Sequence, residues 1–233
     1  MTDATRELTR LGYADLPRLI GLQAGDAKHA PSAESTLDVI WVLYDRVLNV
    51  AADRSDDPDR DRFLLSKGHG PMAYYAVLAA KGFLTEDDLR SYGGYESTLG
   101  QHPDRNRAPG VEISSGSLGH GLGIAVGLAL GLRARRSAAR VFCLVGDAEL
   151  EEGSNHEAIA FAGRMALEGL VCVIVDNRSS SRGWPGGIGS RFAIEGWSTA
   201  TVNGRDHAAL ERAFTSSGGP RPHAVVAKVE PKW

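Results

Sequence analysis

The stretch "RVFCLVGDAELEEGSNHEAIAFAGRMALEGLVCVIVDNR", residues 140–178, sets an acidic cluster between two apolar runs. The runs at 141–145 and 170–175 have the length and composition of strands buried on both faces, and the segment at about 152–167 has helical spacing. Together they read as one strand–helix–strand unit, whose right-handed crossover makes the two strands parallel. In a parallel sheet, ligands gather beyond the carboxyl ends of the strands. Asp147 falls just past the first strand and Asn177 just past the second, so the two side chains are expected side by side at one edge. A carboxylate, an amide oxygen and a nearby backbone carbonyl form a hard-oxygen set that suits Mg²⁺ held jointly with a diphosphate. A Gly-Asp pair after a strand is also a common turn and helix cap. The placement of Asn177 is what favours the anchor.

Working outward, the alternation continues with a Gly/Ser/Pro-rich loop at 178–190, a strand at about 197–202, a helix at 206–215 and a strand at 223–229. Upstream, "FLLS" (63–66) reads as a short buried strand running into "KGHG", and "PMAYYAVLAAKGF" as a helix with Pro71 in its first turn. Residues 34–50 carry Leu37, Ile40, Trp41, Tyr44, Val47 and Leu48 at helical spacing, with Ser32 as N-cap. "TEDDLRSY" reads as a short capped helix, and 93–112 as irregular. In "SSGSLGHGLGIAVGLALGLRARR" the glycines at 119, 123, 127 and 131 recur every four residues, which places them on one helix face open to close approach. The expected fold class is α/β, a mostly parallel sheet covered by helices on both faces. Residues 1–233 are expected to form a single domain, with 1–20 as an N-terminal extension.

The chain has 233 residues, 42% of them hydrophobic, enough for one sizeable core. A net charge of −3 gives no electrostatic footprint for nucleic acid, and the "RARR" at 133–136 reads as the cationic end of a helix. No run approaches the ~20 apolar residues that span a bilayer, and "MTDATRELTR" lacks the apolar core of a signal peptide, so a cytoplasmic location with no membrane partner is expected. Cys143 and Cys172 lie inside the strand-like runs with no CxxC partner and read as buried thiols. "GSLGHGLG" lacks GxGxxG spacing, which disfavours a dinucleotide site.

The segment "GDAELEEG", followed by "DN" with Asn177 thirty residues after Asp147, resembles the thiamine-diphosphate motif of transketolases. "LSKGHGPMAYYAVLAAKGF", "GQHPDRNRAPGVEISSGSLGHGLGIAVGLALGLR" and "FAIEGWSTATVNGRDHAALERAF" resemble further transketolase blocks in family order, so the likeness covers roughly 20–228. It implies thiamine diphosphate and Mg²⁺ as cofactors, with Ca²⁺ or Mn²⁺ as substitutes. Asp147 and Asn177 would be metal ligands, joined by the Ser179 carbonyl. Gly146, Ala148 and their amides would face the diphosphate, and Gly116, Ser117 and Leu118 would cradle the middle of the cofactor. His29, His69 and His102 match positions that face the reactive carbon and the sugar, His69 also touching the cofactor. Glu152 matches the acidic residue that links paired sites across a dimer.

The resemblance also implies a reaction, the transfer of a two-carbon ketol unit from a ketose or ketose phosphate to an aldose. The sequence ends at "AVVAKVEPKW", where full transketolases continue into pyrimidine-binding and C-terminal domains. A separately encoded C-terminal subunit is therefore the expected partner, in a heterotetramer built on a dimer of this chain. Ala148 stands where the family has the third residue of GDG, and its methyl crowds the turn if that position needs positive φ. Two other readings stay open: a thiamine-diphosphate-dependent 2-oxo acid decarboxylase or ligase subunit, and a non-catalytic scaffold subunit.

Overall fold

A computed structural model describes residues 11–23, 30–69, 71–216 and 219–231. Its centre is a five-stranded sheet: β1 (Arg62–Leu65), β2 (Val141–Gly146), β3 (Leu170–Asp176), β4 (Ser198–Asn203) and β5 (His223–Lys228). The order across the sheet is β1-β2-β3-β5-β4, and every neighbouring pair is parallel. The uninterrupted apolar runs of β2 and β3 follow from this, because both faces of a central parallel strand are covered. β4, on the edge, alternates half-buried and exposed residues.

The period of two divides each strand between two cores. Phe142, Leu144 and Val173 face one layer, made by α1 (Leu16–Gly21), α2 (Ala30–Val42), α3 (Met72–Ala80) and α8 (His207–Thr215). Cys143, Val145 and Ile174 face the other, made by α5 (His120–Ala134), α6 (Gly153–Arg164) and α7 (Ile188–Ile194). Cys143 and Cys172 are register partners on that face, buried and free. α3 is buried at all nine positions, which is why its sequence is apolar all round. The short α4 (Glu86–Arg90) is closed by a capping box between Thr85 and Asp88. Among the described residues, no helix is long and apolar enough to cross a membrane.

Two expectations are corrected. α2 already runs at residue 30 and widens into a π turn at Leu43–Val47, so Ser32 lies within the helix instead of capping it. The loop after β3 ends at Gly187, where α7 begins; with only Ile188 and Phe192 buried, this helix is too short to show a period. Along the glycine stripe of α5, a Cβ at Gly123, Gly127 or Gly131 would meet nothing within 4 Å, so within this chain that face stays open to close approach. Arg133 in the last turn of α5 does place the basic tetrad at a helix C-terminus.

Candidate functional site

Sheet order lays out the carboxyl edge. The tail of β1 (Ser66–His69), Asp147 after β2 and Asn177 after β3 follow one another across roughly 10 Å, two strand spacings. Gly146 pairs with Val175, and the Asp147 amide donates to the Val175 carbonyl at 3.1 Å, which locks the two strand ends together. Asp147 and Asn177 are 1% and 2% exposed. Asp147 accepts the Ser179 hydroxyl at 2.6 Å and the Ser180 amide at 3.0 Å. Asn177 Oδ1 is buried without a hydrogen-bond partner.

An orphaned buried oxygen costs about 1–3 kcal/mol, which a bound water, ion or ligand offsets. Beside a buried carboxylate, it suits a hard cation. Among the described residues, no three His, Cys, Asp or Glu side chains are placed to hold an ion together. The acidic side chains of this edge therefore do not form a metal cluster by themselves.

Glu149, a residue with no role expected from sequence, is the hub beneath this edge. It lies in the 3-10 turn Glu149–Glu151 and is 2% exposed. Its carboxylate accepts the Ser66 hydroxyl, the Gly119 amide at 3.0 Å and the Gly146 amide at 3.2 Å. Burial raises its pKa, while those bonds and the charge of Lys67 oppose the rise. The Gly146 amide is thus engaged with Glu149 and the Asp147 amide with Val175, so neither faces outward as expected for a diphosphate. What Gly146 supplies is room: a Cβ there would lie 3.2 Å from Lys67 Cδ. Ala148 has φ −66°, so its methyl does not strain the turn.

The tail of β1 and the loop before α5 meet over the same edge. The rings of His69 and His102 stand edge to face with centroids 5.2 Å apart. Gly116, at φ +136°, presses on His102, whose Cδ2 would be 3.2 Å from an added Cβ. Gly68 is equally confined, its Cβ position 2.9 Å from the Gly116 nitrogen. Ser117 is exposed, Leu118 half-buried, and Glu152 is exposed at the start of α6. His29 lies outside the described residues. His156, His207 and His223 are paired elsewhere, with Arg191, Asp38 and Ser198.

Beyond Asn177 the loop Arg178–Gly187 lies along the edge. Glu151 accepts four hydrogen bonds from it, and the Ser180 hydroxyl, then the Arg182 amide and the Ser181 hydroxyl, hold its pKa down to about 2. Next to it, a cavity of about 550 Å³ runs from Asp147 past Trp184 to Thr199, Thr201 and Lys228.

Residues 19–228 match the family model described as "Transketolase, thiamine diphosphate binding domain". The chain belongs to the transketolase family. Among solved structures it is similar to transketolase from Leishmania mexicana, at 26% identity and a TM-score of 0.76 over 94% of this chain. It spans 36% of that protein's length. Among curated relatives, one of the subunits of apulose-4-phosphate transketolase from Actinobacillus succinogenes is 34% identical over 230 residues, 95% of this chain and 83% of the relative. "Ferredoxin fas2" of Rhodococcoides fascians is 56% identical over 225 residues, 96% of this chain and 74% of the relative. The parallel five-stranded sheet and its helical layers are those of transketolase N-terminal domains. Ser66, Lys67, Glu149 and Glu151 carry little local signal, because most of their partners lie far along the chain; only the density of acids after a strand end marks two of them.

Proposed function

We propose that this chain is the diphosphate- and metal-binding subunit of a split transketolase, working with a separately encoded subunit that holds the rest of the cofactor and the sugar. The partnerless Asn177 Oδ1, at the strand end neighbouring the buried Asp147, carries the reading, since it is an oxygen that a cation at this edge would satisfy. Asp147 and Asn177 side chains, with the Ser179 carbonyl, would hold Mg²⁺ against the diphosphate. Lys67, whose methylenes lie along Gly146, adds positive charge on the β1 side. Gly116, Ser117 and Leu118 would cradle the middle of the cofactor, Gly116 lying against His102, and Glu152, which is exposed, would meet a second copy of the chain.

Thiamine diphosphate supplies an electron sink for a two-carbon fragment. The protein must orient it, exclude water and move protons near neutrality. His69 and His102, in mutual contact, are suited to that transfer, with His29 as a third donor. Relatives named as subunits of apulose-4-phosphate transketolase support a phosphorylated ketose as donor, and their being subunits supports a separate partner. We carry no iron–sulfur role over from the relative named a ferredoxin: two buried strand cysteines fall short of four thiolate ligands.

The deciding experiment is calorimetry with thiamine diphosphate, with and without Mg²⁺, on the chain alone and mixed with the product of a neighbouring gene encoding transketolase C-terminal domains. Metal-dependent binding, strongest in the mixture, is expected. No binding in any mixture overturns the reading in favour of a scaffold subunit.

A further inference from the structure

Two carboxylates four residues apart hold one loop. Asp147 takes the Ser179 hydroxyl and the Ser180 amide. Glu151 takes the Ser180 hydroxyl at 2.7 Å, the Ser181 amide at 2.8 Å, the Ser181 hydroxyl at 2.9 Å and the Arg182 amide at 3.0 Å. Arg178, at φ +56°, turns the chain out of β3 so that these groups reach back across to the end of β2. The result is a loop docked over the metal-binding edge by contacts within the protein alone.

We propose that Glu151 is a positioning residue that fixes residues 179–182 in the metal-competent arrangement before any ligand arrives, and so sets the affinity of the edge for a divalent cation with a diphosphate. The proposal rests on the functional reading above. Loops that close over ligands usually order on binding and lose affinity by that entropy. Here the ordering is done by a carboxylate whose four hydrogen bonds all come from the loop itself. Charge-assisted bonds to backbone amides are strong, and four bonds on one carboxylate fix a short segment in one conformation. The position of the Ser179 carbonyl then depends on Glu151, although the side chains that meet the ligand belong to others. The Ser179 hydroxyl occupies one Asp147 oxygen, so a cation entering at that oxygen displaces the hydroxyl while the clasp keeps the rest of the loop in place.

The test uses the full chain with Mg²⁺ and inorganic pyrophosphate as probe, comparing wild type with Glu151→Gln and Glu151→Ala. Amide exchange at residues 181 and 182 in the ligand-free chain should rise about tenfold or more with either variant, as expected when a local hydrogen-bonded closure is lost. Exchange in β2 and β3 should stay at the wild-type rate, which confirms that the variants fold. Calorimetric affinity for the Mg²⁺–pyrophosphate pair should fall about tenfold, more for Ala than for Gln. Faster loop exchange with unchanged affinity overturns the proposal and leaves the functional reading standing. Unchanged loop exchange overturns it as well. A wild type that binds no Mg²⁺–pyrophosphate, alone or mixed with the partner subunit, removes the reading beneath it, a failure of the edge and not of the clasp.

Discussion

Gly121 lies against the end of β1: its amide donates to Ser66 Oγ at 3.0 Å, and a Cβ would overlap the serine side chain and stand 2.9 Å from its Cα. The same hydroxyl donates to Glu149, so one serine joins the first turn of α5 to the buried carboxylate under the carboxyl edge of the sheet. Gly121→Ala must push that turn away or break the relay, at a cost of about 1–3 kcal/mol typical of overpacking. Gly127→Ala, on the open side of the same helix, should stabilise the isolated chain by up to about 1 kcal/mol. Urea unfolding of the two variants checks the contrast. Equal effects would mean that α5 does not pack as described.

That contrast also shows what was legible in the sequence. The alternation of strands and helices, their parallel pairing and the adjacent strand ends that carry Asp147 and Asn177 follow from local periodicity and the right-handed crossover rule, and they can be read without coordinates, whereas the order of strands across the sheet cannot. Which glycine of α5 matters cannot be read, because spacing along a helix reports a shared face and not what faces it. Gly119, with φ +84° and Glu152 Cβ 2.7 Å from its Cβ position, belongs to the turn before the helix, while Gly121, outside the four-residue series, carries the tight contact. Glu149 and Glu151 were equally hidden. One is buried by partners from β1 and the α5 turn, the other engaged by a loop some 30 residues away, and both look in the sequence like solvated acids.

Asn177→Leu should separate folding from binding. Replacing an unpartnered buried amide oxygen with an apolar side chain of similar size removes a desolvation cost, so the ligand-free chain should gain about 1 kcal/mol. Mg²⁺-dependent binding of thiamine diphosphate should be lost. A thermal melt beside calorimetry reads both quantities, and a variant that still binds with wild-type metal dependence would remove Asn177 from the metal site.

Glu149→Ala should be among the most damaging substitutions at the edge. It strands the Ser66 hydroxyl and the Gly119 and Gly146 amides in a buried space, each costing about 1–3 kcal/mol if water cannot reach it. Glu149→Gln keeps the volume and part of the acceptor capacity, so it should lose less. Denaturant midpoints give the ranking, and an alanine variant as stable as the glutamine variant would show that water replaces the carboxylate.

His69 and His102 should act in turnover more than in cofactor capture. Replacing either imidazole with Ala should lower kcat by about 10²–10⁴, the range for general acid–base groups, while Mg²⁺-dependent cofactor affinity changes little for His102, which stands exposed at the rim. Steady-state kinetics of the assembled enzyme with a ketose phosphate donor measures this. A His102→Ala enzyme with wild-type kcat would confine proton transfer to His69 and groups from the partner.

Away from the ligand edge, His223 should make stability depend on pH. This residue, at the start of β5, shares Nδ1 with the Ser198 hydroxyl at 2.8 Å and Nε2 with the Ala213 carbonyl at 3.1 Å. Burial lowers its pKa, and those two bonds only partly oppose the shift. The unfolded chain therefore binds this proton at a pH where the folded chain does not, so stability rises with pH across the interval. The contribution is complete above the unfolded value of about 6.5 and is lost as pH falls through the lower folded value, with a slope of at most about 1.4 kcal/mol per pH unit for one proton. His223→Gln retains a donor and an acceptor but cannot titrate. Urea midpoints measured from pH 7.5 down to pH 5 should fall more steeply for the wild type than for this variant, and parallel curves would mean that His223 charges in place without disturbing the contact between β4, β5 and α8.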